Sequence, residues 1–132
     1  MKYFSIAEMC NSHTARRYGI DNRCNAKQES RLKELVVAVL DPLREKWGKP
    51  ITVNSGFRSV ELNQRVKGNP ASQHLRGEAA DITAGNKSDN RKLFELIQEM
   101  DLPFDQLIDE QGMSWIHVSH RKGNNRRLIL RL

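Results

Sequence analysis

Two imidazoles and a carboxylate stand where they could share a metal ion. His74 and Asp81 lie in Ser72-Gln73-His74-Leu75-Arg76-Gly77-Glu78-Ala79-Ala80-Asp81, and His117 lies in Trp115-Ile116-His117. Ligands of this His/His/carboxylate kind make a zinc set. Three of them leave a tetrahedral ion one open position, where water can be activated as a nucleophile, and an open position points to catalysis rather than scaffolding. The alternation Gly77-x-Ala79-x-Asp81 is expected to put small side chains on the strand face that carries Asp81, leaving room for an ion beside the backbone. A lone histidine is ordinarily a core or surface imidazole; the ordered SxHxxGxAxD spacing with a distant WxH outweighs that reading. His13 and His120 fit no ligand spacing and read as surface or helix-cap residues. His120, three beyond His117 on a strand, points to the opposite face.

The surrounding sequence predicts an α+β fold, with N-terminal helices packed on a small antiparallel sheet that holds the site. Ser5-Ile6-Ala7-Glu8 has capping-box form and Ser12 offers a second hydroxyl cap. The first twenty residues therefore read as one or two short helices ending near Gly19, packed as a lid on the core. From Ala26 to Trp47, Leu32, Leu35, Val36, Val39, Leu40 and Leu43 recur at helical spacing, with a bend expected at Asp41-Pro42 and a stop at Gly48. Ile51-Thr52-Val53 is a short β-branched run, and Ser59 caps a helix through about Val66. Gly77 to Thr83 reads as a strand, and Ser88 or Asp89 as the start of a helix carrying Leu93, Leu96, Ile97 and Met100. Three further strands are expected at Phe104 to Asp109, Trp115 to Ser119 and Arg127 to Arg131. Both connections, Gln111-Gly112-Met113-Ser114 and Lys122-Gly123-Asn124-Asn125, read as hairpins.

Residues 1–132 read as a single domain, long enough to bury its own core. No apolar run approaches a membrane span, and Met1-Lys2-Tyr3-Phe4-Ser5 lacks the apolar stretch of a signal peptide, so cytoplasmic synthesis without an export signal is expected. Twenty-two Lys and Arg against 16 Asp and Glu give +6, a balance that favours anionic partners. The excess gathers in Arg121, Lys122, Arg126, Arg127 and Arg131, interleaved with Leu128, Ile129, Leu130 and Leu132, which reads as a strand with a basic face. With no aromatic platform or nucleic-acid motif beside that charge, nucleic-acid binding is not expected. Cys10 and Cys24 form no CxxC pair and read as reduced, buried structural cysteines.

These motifs resemble the zinc peptidases of peptidoglycan, the fold group shared by D-alanyl-D-alanine carboxypeptidases and dipeptidases, phage L-alanyl-D-glutamate endopeptidases and the zinc domain of hedgehog signalling proteins. Ser72, His74, Gly77, Ala79 and Asp81 are similar to that family's first motif, Trp115-Ile116-His117 to its last, and Ser55-Gly56-Phe57-Arg58-Ser59 to its SGYRS segment. The overall order resembles the small phage- and prophage-associated branch. The resemblance implies zinc ligation by His74, Asp81 and His117. It also implies a substrate-facing Arg58, whose planar fork can hold a carboxylate or peptide carbonyl, with Ser72 and Gln73 behind the ligands or against substrate. One departure is Ser114, which stands where the larger family carries an acidic general base. The nearest acids are Asp109 and Glu110. A turn centred on Gly112-Met113 would pair Ile108 with His117 and Glu110 with Trp115, placing Glu110 on the side of His117; Glu110 is the expected base, with Asp109 the alternative. The implied activity is zinc-dependent hydrolysis of an amide bond in the peptidoglycan stem peptide by a monomer, without membrane insertion, after release or delivery to the wall. The alternative is a catalytically inactive zinc-containing binding module of the same fold.

Overall fold

Asn25 opens the longest helical stretch: its side chain accepts the Gln28 N–H and the Gln28 side chain accepts the Asn25 N–H, both at 2.8 Å, satisfying two of the donors a helix start leaves free. In this computed structural model, which describes residues 1–132, the stretch runs as α3 (Ala26–Leu35), a π-helical turn (Val36–Leu40) and α4 (Asp41–Trp47). The bend expected at Asp41-Pro42 takes the form of that wide turn. Pro42 has no N–H for the carbonyl of Ala38 and its ring crowds it, so the ladder reaches one residue further back, from the Asp41 N–H to the Val36 carbonyl. Leu32, Leu35, Val36, Val39, Leu40 and Leu43 are all buried.

Two short helices precede it, α1 (Ile6–Met9) capped by Ser5 and α2 (His13–Tyr18) capped by Ser12 and closed by Gly19. Met9 is buried and its carbonyl accepts the Phe57 N–H at 2.8 Å, so the lid is fastened to the Ser55–Ser59 segment. Helix α5 (Val60–Arg65) is capped by Ser59 as expected. Helix α6 (Lys87–Glu99) starts earlier than expected: Asn86 is its cap, accepting the Asp89 N–H at 2.8 Å, while Asp89 sits in the first turn where a carboxylate complements the helix dipole.

Five strands, β1 (Thr52–Ser55), β2 (Ala79–Thr83), β3 (Gln106–Glu110), β4 (Trp115–Ser119) and β5 (Leu128–Arg131), form one sheet in the order β1-β2-β4-β3-β5. The β3–β4 hairpin has the expected register, Ile108 opposite His117 and Glu110 opposite Trp115. Strand β5 does not form the expected hairpin with β4. Both edges of β4 are already taken by β2 and β3, so β5 joins the outer edge of β3, in parallel, and the sheet is mixed rather than wholly antiparallel. Nor does β5 carry a basic face. Arg126 and Arg127 precede it and pair with Asp105 and Asp101, leaving Arg131 as the only basic residue in the strand.

Alternation along the strands divides the molecule. Ala80, Ile82, Leu107, Ile116 and Val118 join the core of the helical layer, while Asp81, Ile108, Glu110, Trp115 and His117 line a cavity on the other side of the sheet. Gly77 lies before β2 rather than in it. It closes the 3₁₀ turn Gln73–Arg76 at φ +78°, and a Cβ there would sit 2.6 Å from the Gln28 carbonyl oxygen. Its size therefore admits the approach of α3 and does not make room for an ion. No helix is long and apolar enough to cross a membrane.

Candidate metal centre and its cavity

Three elements deliver the donors: the 3₁₀ turn brings His74, β2 brings Asp81, and β4 brings His117 directly opposite Asp81 in the ladder. Ser72 shapes the first of these, its hydroxyl accepting the His74 N–H at 3.2 Å. Asp81 Oδ1 lies 3.3 Å from His74 Nε2 and 3.0 Å from His117 Nδ1, the imidazoles stand edge to face at 5.1 Å, and all three residues are buried. Tetrahedral ligation with bonds of about 2.05 Å separates ligand atoms by roughly 3.3 Å, so each imidazole already stands from Asp81 at about the spacing a zinc ion needs, and all three donors lie within 4.8 Å of one another. The tautomer agrees. His74 Nδ1–H donates to the Gly56 carbonyl at 2.6 Å, which leaves Nε2 with its lone pair toward the cluster. Gly56 itself has no alternative, because a Cβ there would overlap the Met9 carbonyl.

Burial alone would raise the Asp81 carboxyl, but the His117 and His74 imidazoles beside it outweigh burial and hold the group well below the usual carboxylate range. Asp81 is thus a fixed negative charge aimed at the ligand position. Its second oxygen meets Arg58 Nη2 at 3.4 Å; Arg58 Nε and Nη1 are held by Ser55 at 3.0 Å and Asn63 at 3.2 Å. The arginine expected to face substrate therefore lines the cavity while bracing Asp81, a role its place in the sequence does not disclose.

The cavity, about 790 Å³, opens over these donors. Glu110 lines it and Asp109 does not: the Asp109 carboxylate accepts the Met113 N–H at 2.7 Å and fastens the hairpin turn. Desolvation, with the Asp81 charge next, raises the Glu110 carboxyl above its ordinary value. Ser114 is exposed, its hydroxyl donating to the Gln111 carbonyl. Gln73 is buried, its amide N–H donating to Asp105 Oδ2 at 3.1 Å while its carbonyl oxygen meets no protein donor. Asp105, absent from the sequence expectations, accepts from Arg126 through both oxygens and ties Gln73 to the start of β5. An isolated Asp before a strand gives no signal of that role. His120 points away from the cluster, donating from Nδ1 to the Pro103 carbonyl.

The cavity wall carries Arg58, Lys67, Arg76, Arg121 and Arg126 against the acids Asp81 and Glu110. Arg76 and Arg126 are ion-paired with Glu78 and Asp105.

The chain is 38% identical over 76 residues to the zinc D-Ala-D-Ala carboxypeptidase of Streptomyces albus G, a stretch covering 50% of this chain and 30% of that longer protein. The model of the peptidase M15 family matches residues 2–119, from the lid through all three donors to the end of β4. A convergent His/Asp/His cluster inside that span completes the case, and the chain belongs to the peptidase M15 family.

Proposed function

We propose that this protein is a zinc peptidase that hydrolyses an amide bond in the stem peptide of peptidoglycan. The observation that carries the reading is the buried cluster whose donor atoms lie within 4.8 Å of one another on the floor of an open cavity, with a carboxylate from the next strand beside it. His74, Asp81 and His117 hold the ion. Zinc bound there supplies Lewis acidity, polarising the scissile carbonyl and acidifying water. Glu110 accepts the proton of the attacking water and returns it to the leaving amine. Arg58 spends three of its five N–H groups on Ser55, Asn63 and Asp81, which leaves two for a substrate carbonyl or carboxylate. The cationic wall suits an acidic stem, and the carboxypeptidase named above supports a substrate ending in D-alanine. The site of action is then the cell wall, reached after release or delivery.

The test is digestion of purified peptidoglycan and synthetic stem peptides by zinc-loaded protein, with products identified by mass spectrometry and His117→Ala as the blank. Loss of a terminal D-alanine assigns a carboxypeptidase and an internal cut an endopeptidase. Uncut substrate at full zinc occupancy would overturn the proposal in favour of a binding module.

A further inference from the structure

Two thiols outside the metal centre are brought together by the fold. Cys10 ends α1, and Cys24 follows α2 and its loop; both are free, both line one groove of about 640 Å³, and both pack against the edge of the core. Asn22 fixes the approach of their segments. Its Nδ2 donates to the Cys10 carbonyl at 2.9 Å and the Phe57 carbonyl at 3.1 Å, and its Oδ1 accepts the Ser59 N–H at 2.7 Å. Burial first, and then the neighbouring Cys24 thiol, pushes the Cys10 thiol up to about 12.

We propose that Cys10 and Cys24 form an intramolecular disulfide on exposure to a low-molecular-weight disulfide, and that this bond clamps the N-terminal helices to the segment that orients His74. The clamp follows from a chain of contacts already described. Met9 accepts the Phe57 N–H, and the adjoining Gly56 carbonyl accepts His74 Nδ1–H, so α1 and a metal ligand lie at opposite ends of one short hydrogen-bonded path. The chemistry closes without further reagents. One of the two cysteines, as its thiolate, attacks one sulfur of the oxidant and expels the other half as a thiolate. The remaining cysteine then loses its proton, attacks the protein sulfur of that mixed disulfide and expels the second. Two protein thiols are oxidised and one small disulfide is reduced to two thiols. A wall-acting protein would meet such conditions outside the reducing cytoplasm, a clause that rests on the proposed function; bond formation itself does not.

The experiment exposes the zinc-loaded, full-length protein to oxidised glutathione and reads intact mass, melting temperature and the rate of zinc loss to a chelator. The expected product is a monomer lighter by about 2 Da with no reactive thiol. Its Tm rises on the order of 10 °C for a loop of this length, its zinc loss is slower, and dithiothreitol reverses all three. Cys10→Ser and Cys24→Ser should each gain at most one glutathione, without the rise in Tm. Wild-type protein that carries two glutathiones, joins a second copy, or keeps both thiols after prolonged exposure overturns the disulfide. A bond that leaves Tm and zinc loss unchanged overturns the clamp. Wall digestion is not among the readouts, so failure of the proposed function would leave this result standing.

Discussion

Glu110 and Asp109 are adjacent carboxylates with opposite assignments, and the difference is one of strand parity. Glu110 shares the cavity face with His117, while Asp109 turns over to bind the Met113 N–H. Glu110→Gln should therefore keep zinc and Tm while lowering turnover roughly 10²- to 10⁴-fold, the usual worth of a positioned proton acceptor. Asp109→Asn should keep turnover within a few-fold and cost about 1 kcal/mol of stability through the weakened turn, read by denaturant titration. A base works only when deprotonated, and burial raises this one. Activity should fall as pH drops through the acid limb of kcat/KM, and Glu110→Gln should shift or remove that limb; a limb left in place would acquit the residue. This much is legible in sequence, because strand parity and a short turn fix which side chains share a face. Arg58 is less so. Its motif implies a substrate-facing role only by resemblance, and the bond to Asp81 depends on side-chain packing among Ser55, Asn63 and β2 that no spacing records.

Local elements are legible in the sequence and the non-local one is not. Ser5, Ser12, Asn25 and Ser59 each cap a helix within three residues of themselves, and the β3–β4 register follows from its turn. Strand β5 depends on which sheet edge is vacant, a property of the whole topology, and the glycine and asparagines before it imitate a hairpin. Its attachment runs through Asp105, with no exposed side-chain surface, whose carboxyl is held down to about 2: burial opposes ionisation and the Arg126 contacts prevail. Because the folded value lies below the ordinary 3.8, the contribution is complete above about pH 4 and disappears as pH falls toward 2, amounting to about 2 kcal/mol. Melting curves of wild type and Asp105→Asn should differ most above pH 5 and converge near pH 2. Parallel curves at every pH would deny the ion pair this role.

At the scale of the whole molecule, a metal held by the proposed ligands would join parts that helix packing alone does not. His74 arrives from the turn that follows α5, and Asp81 and His117 from the middle of the sheet. Binding to the native state alone adds stability in proportion to the logarithm of ligand concentration over Kd, so stripping zinc with a chelator should lower Tm by roughly 5–10 °C, and adding zinc should restore it. His117→Ala should melt at one temperature with or without the ion, as followed by calorimetry and elemental analysis. A chelator that leaves wild-type Tm unmoved would mean that the folded framework holds its donors in place unaided.

Leu132 lines the same cavity as His117, while Met1 lies on the helical side, where the neighbouring Lys2 meets Asp41 and Glu45. Any chain attached after Leu132 therefore begins on the wall of the cavity over the His/Asp/His cluster. A polyhistidine handle fused there would hold a run of imidazoles beside the proposed zinc position, where one of them would compete with water for the fourth ligand place. Purified in that form, the protein should regain turnover when the handle is cleaved; the same handle placed before Met1 should be silent.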